Sequence, residues 1–260
     1  MGPALHVVEA GTGPTVVLVH GAMDRAGGLA KVARHLPDHH VVRYDRRGYA
    51  GSTLLGPGGL ADHAADLVGL LGELVPSPAA ARPVVVGHSL GGLVALAGAR
   101  AAPALVGAVG AFEPPTPWHP DWPAGIEDFD GDDGAAADLV ISRAVGAERW
   151  ARAPAALRAA RRAEGGAMMA EMRSLLSDPP GRLPEPLGPV PVPVVLARGS
   201  ASRPHVARGL DDLAARLGVT GPVVLDGPGH RAPTTHATDY AAWAAEVAAL
   251  APRPPTVRER

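Results

Sequence analysis

A serine flanked by glycines stands between an apolar run and an Ala- and Leu-rich segment. The sequence Gly87-His88-Ser89-Leu90-Gly91 follows Pro83–Val86, which is typical of a buried strand. In a strand–turn–helix setting the tight turn strains the serine backbone, and glycine-sized neighbours avoid a clash with it. The hydroxyl then projects at the carboxyl edge of the sheet, where ligands bind in open α/β folds. The pattern predicts Ser89 as a nucleophile and the Leu90 amide, at a helix start, as a donor to a developing oxyanion.

A second group must activate this serine. A serine hydroxyl is a poor nucleophile unless a base accepts its proton and a third group orients that base. His230 follows the last strand-like run. In proteins with this strand–turn–helix motif the order along the chain is serine, acid and then histidine, so we predict His230 as the base. Other roles are predicted for the remaining candidates: a structural hydrogen bond for His20, an orientation away from the pocket for His88, a substrate contact for His119 and a place near the last helix for His236.

Three further segments resemble motifs of one enzyme superfamily. His20-Gly21-Ala22-Met23 follows the apolar run Thr15–Val19, and Gly229-His230 follows the last strand-like run. The segment Asp45–Ser52 is similar to an Asp-x-Arg-Gly-x-Gly-x-Ser loop, with alanine at the second glycine position. Together with the serine turn, they resemble the α/β-hydrolase superfamily over nearly the whole chain. The resemblance implies a second oxyanion donor just after Gly21, on Ala22 or alternatively Met23, and a structural role for the Asp45–Ser52 loop.

The acid that orients the base departs from the superfamily pattern. There the acid most often follows the strand that Val192–Gly199 represents, and Ser202 stands at that place in this chain. A serine cannot carry the negative charge that stabilises an imidazolium. Glu113 ends the strand that follows the serine's helix, a place where some superfamily members have their acid, and a Pro-Pro pair follows it. We therefore predict Glu113 as the acid, with Asp226 as the alternative.

Strand-like and helix-like segments alternate along most of the chain. Continuous β-branched runs are typical of strands covered on both faces, and the segments between them have helical spacing. The alternation predicts an α/β fold with a doubly wound, mostly parallel sheet. The predicted strands are Ala4–Ala10 at an edge, Thr15–His20, His40–Asp45, Pro83–His88, Leu105–Glu113, Val192–Gly199 and Pro222–Asp226. The predicted helices are Asp24–Leu36 with an Asp cap, Leu60–Leu74, Ser89–Arg100, Pro204–Leu217 and Thr238–Leu250.

The alternation stops once, after the strand that ends at Glu113. Strand-like runs are missing from residues 114–189, where a Pro- and Trp-rich stretch precedes helical segments at Ala135–Val145, Glu148–Glu164 and Ala167–Leu176. We predict a small helical cap over residues 114–189, inserted into a core of residues 1–113 and 190–250, with a flexible tail at 251–260. An ordinary long helical crossover is the alternative.

Composition restricts the classes of function. The 260 residues include no cysteine and carry a formal net charge of −2, which excludes disulfides and gives no sign of a surface for nucleic acid or anionic lipid. The apolar runs are too short for a bilayer, and neither a signal-peptide pattern nor metal-ligand histidine spacing occurs. We expect a cytoplasmic, bacterial protein, monomeric or homodimeric. It would act on a small-molecule substrate without metal, cofactor, nucleic acid or membrane.

A serine at position 89 indicates acyl transfer, whereas superfamily members that form an alkyl-enzyme ester use aspartate there. The expected reaction is hydrolysis of a carboxylic ester, thioester or lactone of a small, partly apolar substrate. A lyase or cyclase remains an alternative because the fold does not fix the function. So does a ligand-binding protein without turnover, given the serine at position 202. The predicted pocket lies between the sheet edge and the cap, lined by Met23, Trp118, Trp122, Met168 and Met172.

Overall fold

A seven-stranded sheet forms the centre of the molecule. The computed structural model describes residues 4–77, 80–123, 132–176 and 181–252. The strands are β1 (Val7–Ala10), β2 (Thr15–Val19), β3 (His40–Tyr44), β4 (Val84–His88), β5 (Ala108–Phe112), β6 (Val194–Gly199) and β7 (Val223–Leu225). Their order is β1-β3-β2-β4-β5-β6-β7, with β1 antiparallel to β3 at one edge and all other neighbours parallel. The predicted α/β fold with a mostly parallel sheet is confirmed.

Helices cover both faces of this sheet. They are α1 (Ala30–Arg34), α2 (Leu60–Leu74), α3 (Leu90–Ala101), α4 (Asp133–Val145), α5 (Ala147–Ala151), α6 (Ala155–Ala163), α7 (Gly165–Leu175), α8 (Pro204–Leu217), α9 (Ala232–Thr235) and α10 (Ala237–Ala248). Successive residues of a strand point to opposite faces, so Val85 packs with leucines of α2 and α3, whereas Val84 and Val86 pack against Trp243 of α10. Burial on both faces explains why the central strands are continuously apolar.

Two predicted helices differ from those observed. Asp24 caps no helix: the chain forms a 3₁₀ turn at Ala26–Leu29 and then the short α1. The turn contains two consecutive glycines, which are poor helix formers. The single segment predicted over Glu148–Glu164 is divided into α5 and α6 at Pro154, because proline restricts the residue before it and cannot donate to a preceding carbonyl.

Helices α4 to α7 lie in sequence between β5 and β6 and pack over the carboxyl side of the core. Their buried residues form one cluster with Met23 and Tyr49. The division into core and cap stays a prediction, and residues 253–260 of the predicted tail lie outside the described residues. Within the described ranges, no helix is both long and apolar enough to cross a membrane.

Candidate active site

Ser89 lies in the tight turn between β4 and α3. Its φ of 53° and ψ of −126° belong to a conformation that L-residues rarely adopt. Its own amide donates to the Phe112 carbonyl at 2.8 Å, which fixes the turn to the neighbouring strand. A Cβ atom at Gly87 would overlap the Gly91 carbonyl, and one at Gly91 would overlap the Val19 carbonyl. The two glycines are therefore required by close backbone approach on both sides of the serine.

His230 and Glu113 are in direct contact. His230 Nδ1 lies 2.8 Å from Glu113 Oε2. A carboxylate only accepts hydrogen bonds, so Nδ1 carries the proton and Nε2 keeps a free lone pair. Glu113 is 2% exposed, while the side chain of His230 is half exposed. The structure thus brings the residues predicted as acid and base together.

Three donors hold the Glu113 carboxylate in place. Besides His230, it accepts from the Gly199 amide at 3.0 Å and from the Ser202 hydroxyl. Burial opposes ionisation of this carboxyl, but the hydrogen bonds and the charge of His230 outweigh burial and lower the pKa of Glu113 below its ordinary value. The alternative acid, Asp226, accepts instead from a serine hydroxyl at 3.2 Å.

His88 lies beside the base, and its predicted orientation away from the pocket stays a prediction. Its ring centroid lies 4.8 Å from that of His230, and its Nε2–H donates to the His230 carbonyl at 2.7 Å. Burial and the neighbouring His230 lower the pKa of His88 to about 3, so it is neutral and suited to this donor role. Among the described residues the Ser89 hydroxyl makes no hydrogen bond with His230. Such bonds are often long without substrate.

The segment His20–Met23, which we call the oxyanion loop, packs directly beside the serine. A Cβ atom on Gly21 would lie 3.0 Å from the Ser89 Cβ. In the parts of the chain that are described, the amides of Ala22 and Leu90 have no hydrogen-bond acceptor, and Leu90 opens α3, where an N–H has no intrahelical partner. The Met23 amide faces the Tyr49 hydroxyl instead. Ala22 and Leu90 are therefore the free donors next to Ser89.

His20 is structural, as the sequence predicts. Its Nδ1–H donates to the Gly21 carbonyl at 2.8 Å, and its Nε2 accepts from the Arg46 amide at 2.9 Å. Complete burial lowers its pKa well below the ordinary value and keeps the ring neutral. For metals, no group of three or more His, Asp or Glu side chains in the described ranges is arranged to hold an ion.

Comparison with known proteins identifies the family of the chain. A model of the alpha/beta hydrolase family matches residues 16–246. The chain belongs to the α/β hydrolase family. A stretch of 99 residues is 34% identical to the uncharacterized hydrolase YraK of Bacillus subtilis (strain 168), covering 36% of this chain and about a third (35%) of that relative.

Solved structures of similar fold include two hydrolases. YbtT, a type II thioesterase from the yersiniabactin NRPS/PKS biosynthetic pathway, superposes with a TM-score of 0.74 at 22% identity, covering 93% of this chain and 97% of that one. A thermophilic esterase from Thermogutta terrifontis has a TM-score of 0.69 at 20% identity, with 93% and 92% covered. At these identities the likeness concerns the fold alone.

The residues predicted to line a pocket of this α/β hydrolase are mostly buried. Met23 and Met168 pack in the cluster that Met23 and Tyr49 form with residues of α4, α5 and α7, and Met172 lies partly buried at its margin. Trp118 packs with core leucines, while Trp122 is partly exposed with its ring against a histidine of α8. Their role as pocket lining stays a prediction.

Sequence reasoning missed a buried ion pair of this α/β hydrolase next to the oxyanion loop. Arg46 pairs with Glu171 of α7, and neither side chain is exposed to solvent. Glu171 also accepts from the Tyr49 hydroxyl at 2.7 Å and lies 2.9 Å from His63 Nε2. Burial opposes ionisation of Glu171, but the charge of Arg46 and the hydrogen bonds from His63 and Arg46 together outweigh burial and lower the pKa of Glu171. The one sequence signal is a glutamate among the methionines of α7.

Proposed function

We propose that this α/β hydrolase is a serine hydrolase that cleaves a carboxylic ester, thioester or lactone of a small, partly apolar substrate. One observation carries the proposal: His230, whose ring lies 4.8 Å from that of His88 next to the strained Ser89, is bonded through Nδ1 to the buried carboxylate of Glu113. A base in this tautomer can accept a serine proton through Nε2. The esterase and the thioesterase of similar fold catalyse reactions of this class.

The reaction proceeds by acyl transfer through an acyl-enzyme. His230 Nε2 accepts the Ser89 proton while Oγ attacks the carbonyl carbon, and the carbonyl oxygen becomes an oxyanion that the amides of Ala22 and Leu90 stabilise. His230 then protonates the leaving alcohol or thiol. Water, deprotonated by the same histidine, attacks the acyl-enzyme and releases the acid, which restores Ser89. Each oxyanion donor contributes about 3–4 kcal/mol in comparable enzymes.

Turnover and covalent labelling test the proposal together. We expect the protein to hydrolyse p-nitrophenyl acetate and butyrate, and a fluorophosphonate probe to modify Ser89. Ser89→Ala should abolish both the turnover above background and the labelling, whereas Ser200→Ala, a strand-end serine bonded to Asp226, should retain both. A wild-type protein that neither turns over these esters nor reacts with the probe contradicts the proposal.

A further inference from the structure

Two arginine side chains hold the backbone of the oxyanion loop. Arg46 Nη2 donates to the Gly21 carbonyl at 3.0 Å, and Arg161 Nη1 donates to the Met23 carbonyl at 3.2 Å. These two carbonyls belong to Gly21 and Met23, the residues on either side of Ala22. The residue assigned as oxyanion donor is thus enclosed between two guanidinium contacts.

The Gly21 carbonyl and the Ala22 amide belong to one peptide group. Because that group is planar and trans, its C=O and N–H point in opposite directions. A donor that fixes the Gly21 oxygen therefore also sets the direction of the Ala22 N–H. A cation on the oxygen further polarises the amide and strengthens its N–H as a donor. The His20 Nδ1–H also donates to this oxygen, at 2.8 Å, but the ring is neutral and only Arg46 brings a charge. The Arg46 contact consequently acts together with His20 on the orientation of the Ala22 N–H, and through its charge on the strength of that donor.

Both arginines are paired with carboxylates of the cap. Arg46 pairs with Glu171 of α7, and Arg161 of α6 lies 3.2 Å from Glu164, which joins α6 to α7. Glu164 also binds Arg25, just beyond the oxyanion loop, at 3.1 Å. Its side chain is 6% exposed and that of Glu171 is completely buried. These are desolvated, directional ion pairs, unlike the solvent-screened pairs of the surface.

The oxyanion loop needs such support because its backbone is strained. Met23 has a φ of 56°, which is unfavourable for a residue with a side chain. Strain of this kind persists only where the surroundings hold it. The Met23 amide faces Tyr49, whose hydroxyl donates to Glu171, so the same cap carboxylate supports this residue as well.

We propose that Arg46 and Arg161, each paired with a cap glutamate, are positioning residues that aim the Ala22 amide at the oxyanion formed on Ser89. The proposal rests on the serine-hydrolase function proposed above. It makes helices α6 and α7 part of the reaction's geometry, because the carboxylates at these helices determine how well the oxyanion is bound. Neither arginine contacts the substrate in this scheme.

Arg161 and its neighbour Arg162 provide a matched comparison. Arg162 also forms ion pairs, with Asp132 and Asp138, but these partners cap α4 and lie within it, and neither belongs to the oxyanion loop. We expect Arg161→Ala to lower kcat for p-nitrophenyl butyrate about 10- to 100-fold, because a misplacement of about 1 Å costs up to that factor. KM should change by less than about threefold, since ground-state binding does not use the oxyanion donors. Arg161→Lys should recover part of the loss, and Arg162→Ala should match the wild type.

Binding of a tetrahedral adduct separates positioning from general damage. An alkyl trifluoromethyl ketone adds reversibly to the serine and places its oxygen in the oxyanion site, whereas butyrate binds only as a product. We expect Arg161→Ala and Glu171→Gln to raise the inhibition constant of the ketone by the same factor by which they lower kcat/KM. The inhibition constant of butyrate should stay unchanged. The Arg161 series decides the matter if Glu171→Gln does not fold.

The positioning role is overturned if the folded Arg161→Ala protein has the same kcat as Arg162→Ala. It is also overturned if Arg161→Ala raises the inhibition constants of the ketone and of butyrate by the same factor. A different outcome contradicts the proposed function itself: a wild-type protein that neither hydrolyses the ester nor binds the ketone. The wild-type measurements thus distinguish the two failures.

Discussion

At the scale of single residues, the position of the acid follows from two adjacent strand ends. The Glu113 amide donates to the Ala197 carbonyl at 2.8 Å, so the end of β5 is fixed against β6. A φ of 46° at Glu113 then turns its carboxylate towards His230 and the Gly199 amide. Ser202, which stands where the acid of the superfamily most often does, donates to this carboxylate. The carboxylate that contacts the predicted base in this chain therefore comes from the end of β5.

The charge of Glu113 should be required for turnover. In Glu113→Gln the amide cannot stabilise an imidazolium and can favour the wrong tautomer of His230. We expect kcat for p-nitrophenyl butyrate to fall about 10³- to 10⁴-fold with little change in KM, by analogy with comparable triads. Asp226→Asn is the control, because Asp226 binds Ser200 and should be dispensable. A fully active Glu113→Gln enzyme would show that the acid lies elsewhere.

A carboxylate placed at position 202 should replace Glu113 in part. The Ser202 hydroxyl contacts the carboxylate oxygen next to the one that binds His230. In the Glu113→Gln background, Ser202→Asp should raise kcat about tenfold or more, since it restores a negative charge near Nδ1. Ser200→Asp in the same background should bring no recovery, because residue 200 faces Asp226. If the two substitutions recover kcat equally, any added negative charge in this region is sufficient, and its position relative to His230 does not matter.

At the scale of elements, prediction succeeded where one local rule dominates. The spacing of leucines and a proline at the first helical position give the observed bounds of α2 and α8. The serine turn is equally local, because the glycines at 87 and 91 are dictated by its geometry. Prediction failed at Asp24–Leu36 and Glu148–Glu164, where apolar spacing is helical but glycine or proline breaks the backbone hydrogen-bonding pattern.

Gly91, which follows the serine turn, should tolerate no side chain, unlike a glycine that is exposed on a helix. A Cβ at Gly91 would overlap a backbone carbonyl of β2, which cannot move without displacing the strand, so Gly91→Ala should lower the free energy of unfolding by about 2 kcal/mol or more. Gly69 of α2 has nothing within 4 Å of its Cβ position, and Gly69→Ala should stabilise the protein by about 0.5–1 kcal/mol. Urea unfolding of both variants measures this. A Gly91→Ala protein as stable as the wild type would contradict the close approach of Gly91 to the Val19 carbonyl.

At the scale of the whole molecule, a buried ion pair connects helix α7 to the Asp45–Ser52 loop after β3. Arg46 and Glu171 are 125 residues apart in the chain, and both residue types are usually exposed. No periodicity or motif can therefore pair them, although the sequence predicts the loop that contains Arg46 and the helix that contains Glu171. The same limit applies to the donors around Glu113: chain order predicts the acid and the base, but not the hydrogen bonds that hold them.

The Arg46–Glu171 pair should contribute far more to stability than a surface pair. Glu171→Gln leaves the Arg46 charge buried without its partner, and we expect a loss of about 3–5 kcal/mol in the free energy of unfolding at pH 7. Glu148 pairs with Arg152 while both side chains are more than 80% exposed, so Glu148→Gln should cost about 0.5 kcal/mol or less. Urea unfolding compares the two variants. If both variants lose a similar free energy of unfolding, burial does not make the Arg46–Glu171 pair more important for stability than a surface pair.

The stability lost in Glu171→Gln should depend on pH in a defined direction. The pKa of Glu171 is lowered from its ordinary value of 4.5 in the folded protein. Its contribution is therefore complete above this unfolded pKa of 4.5 and is lost as pH falls through the folded pKa. His63 titrates beside the same carboxylate, so the comparison is made with His63→Gln in both proteins. The difference in unfolding free energy should be constant between pH 8 and 5.5 and then shrink by up to about 1.4 kcal/mol per pH unit below 4.5. A difference that grows on acidification would mean that the folded pKa of Glu171 is raised and that the ion pair does not stabilise its charge.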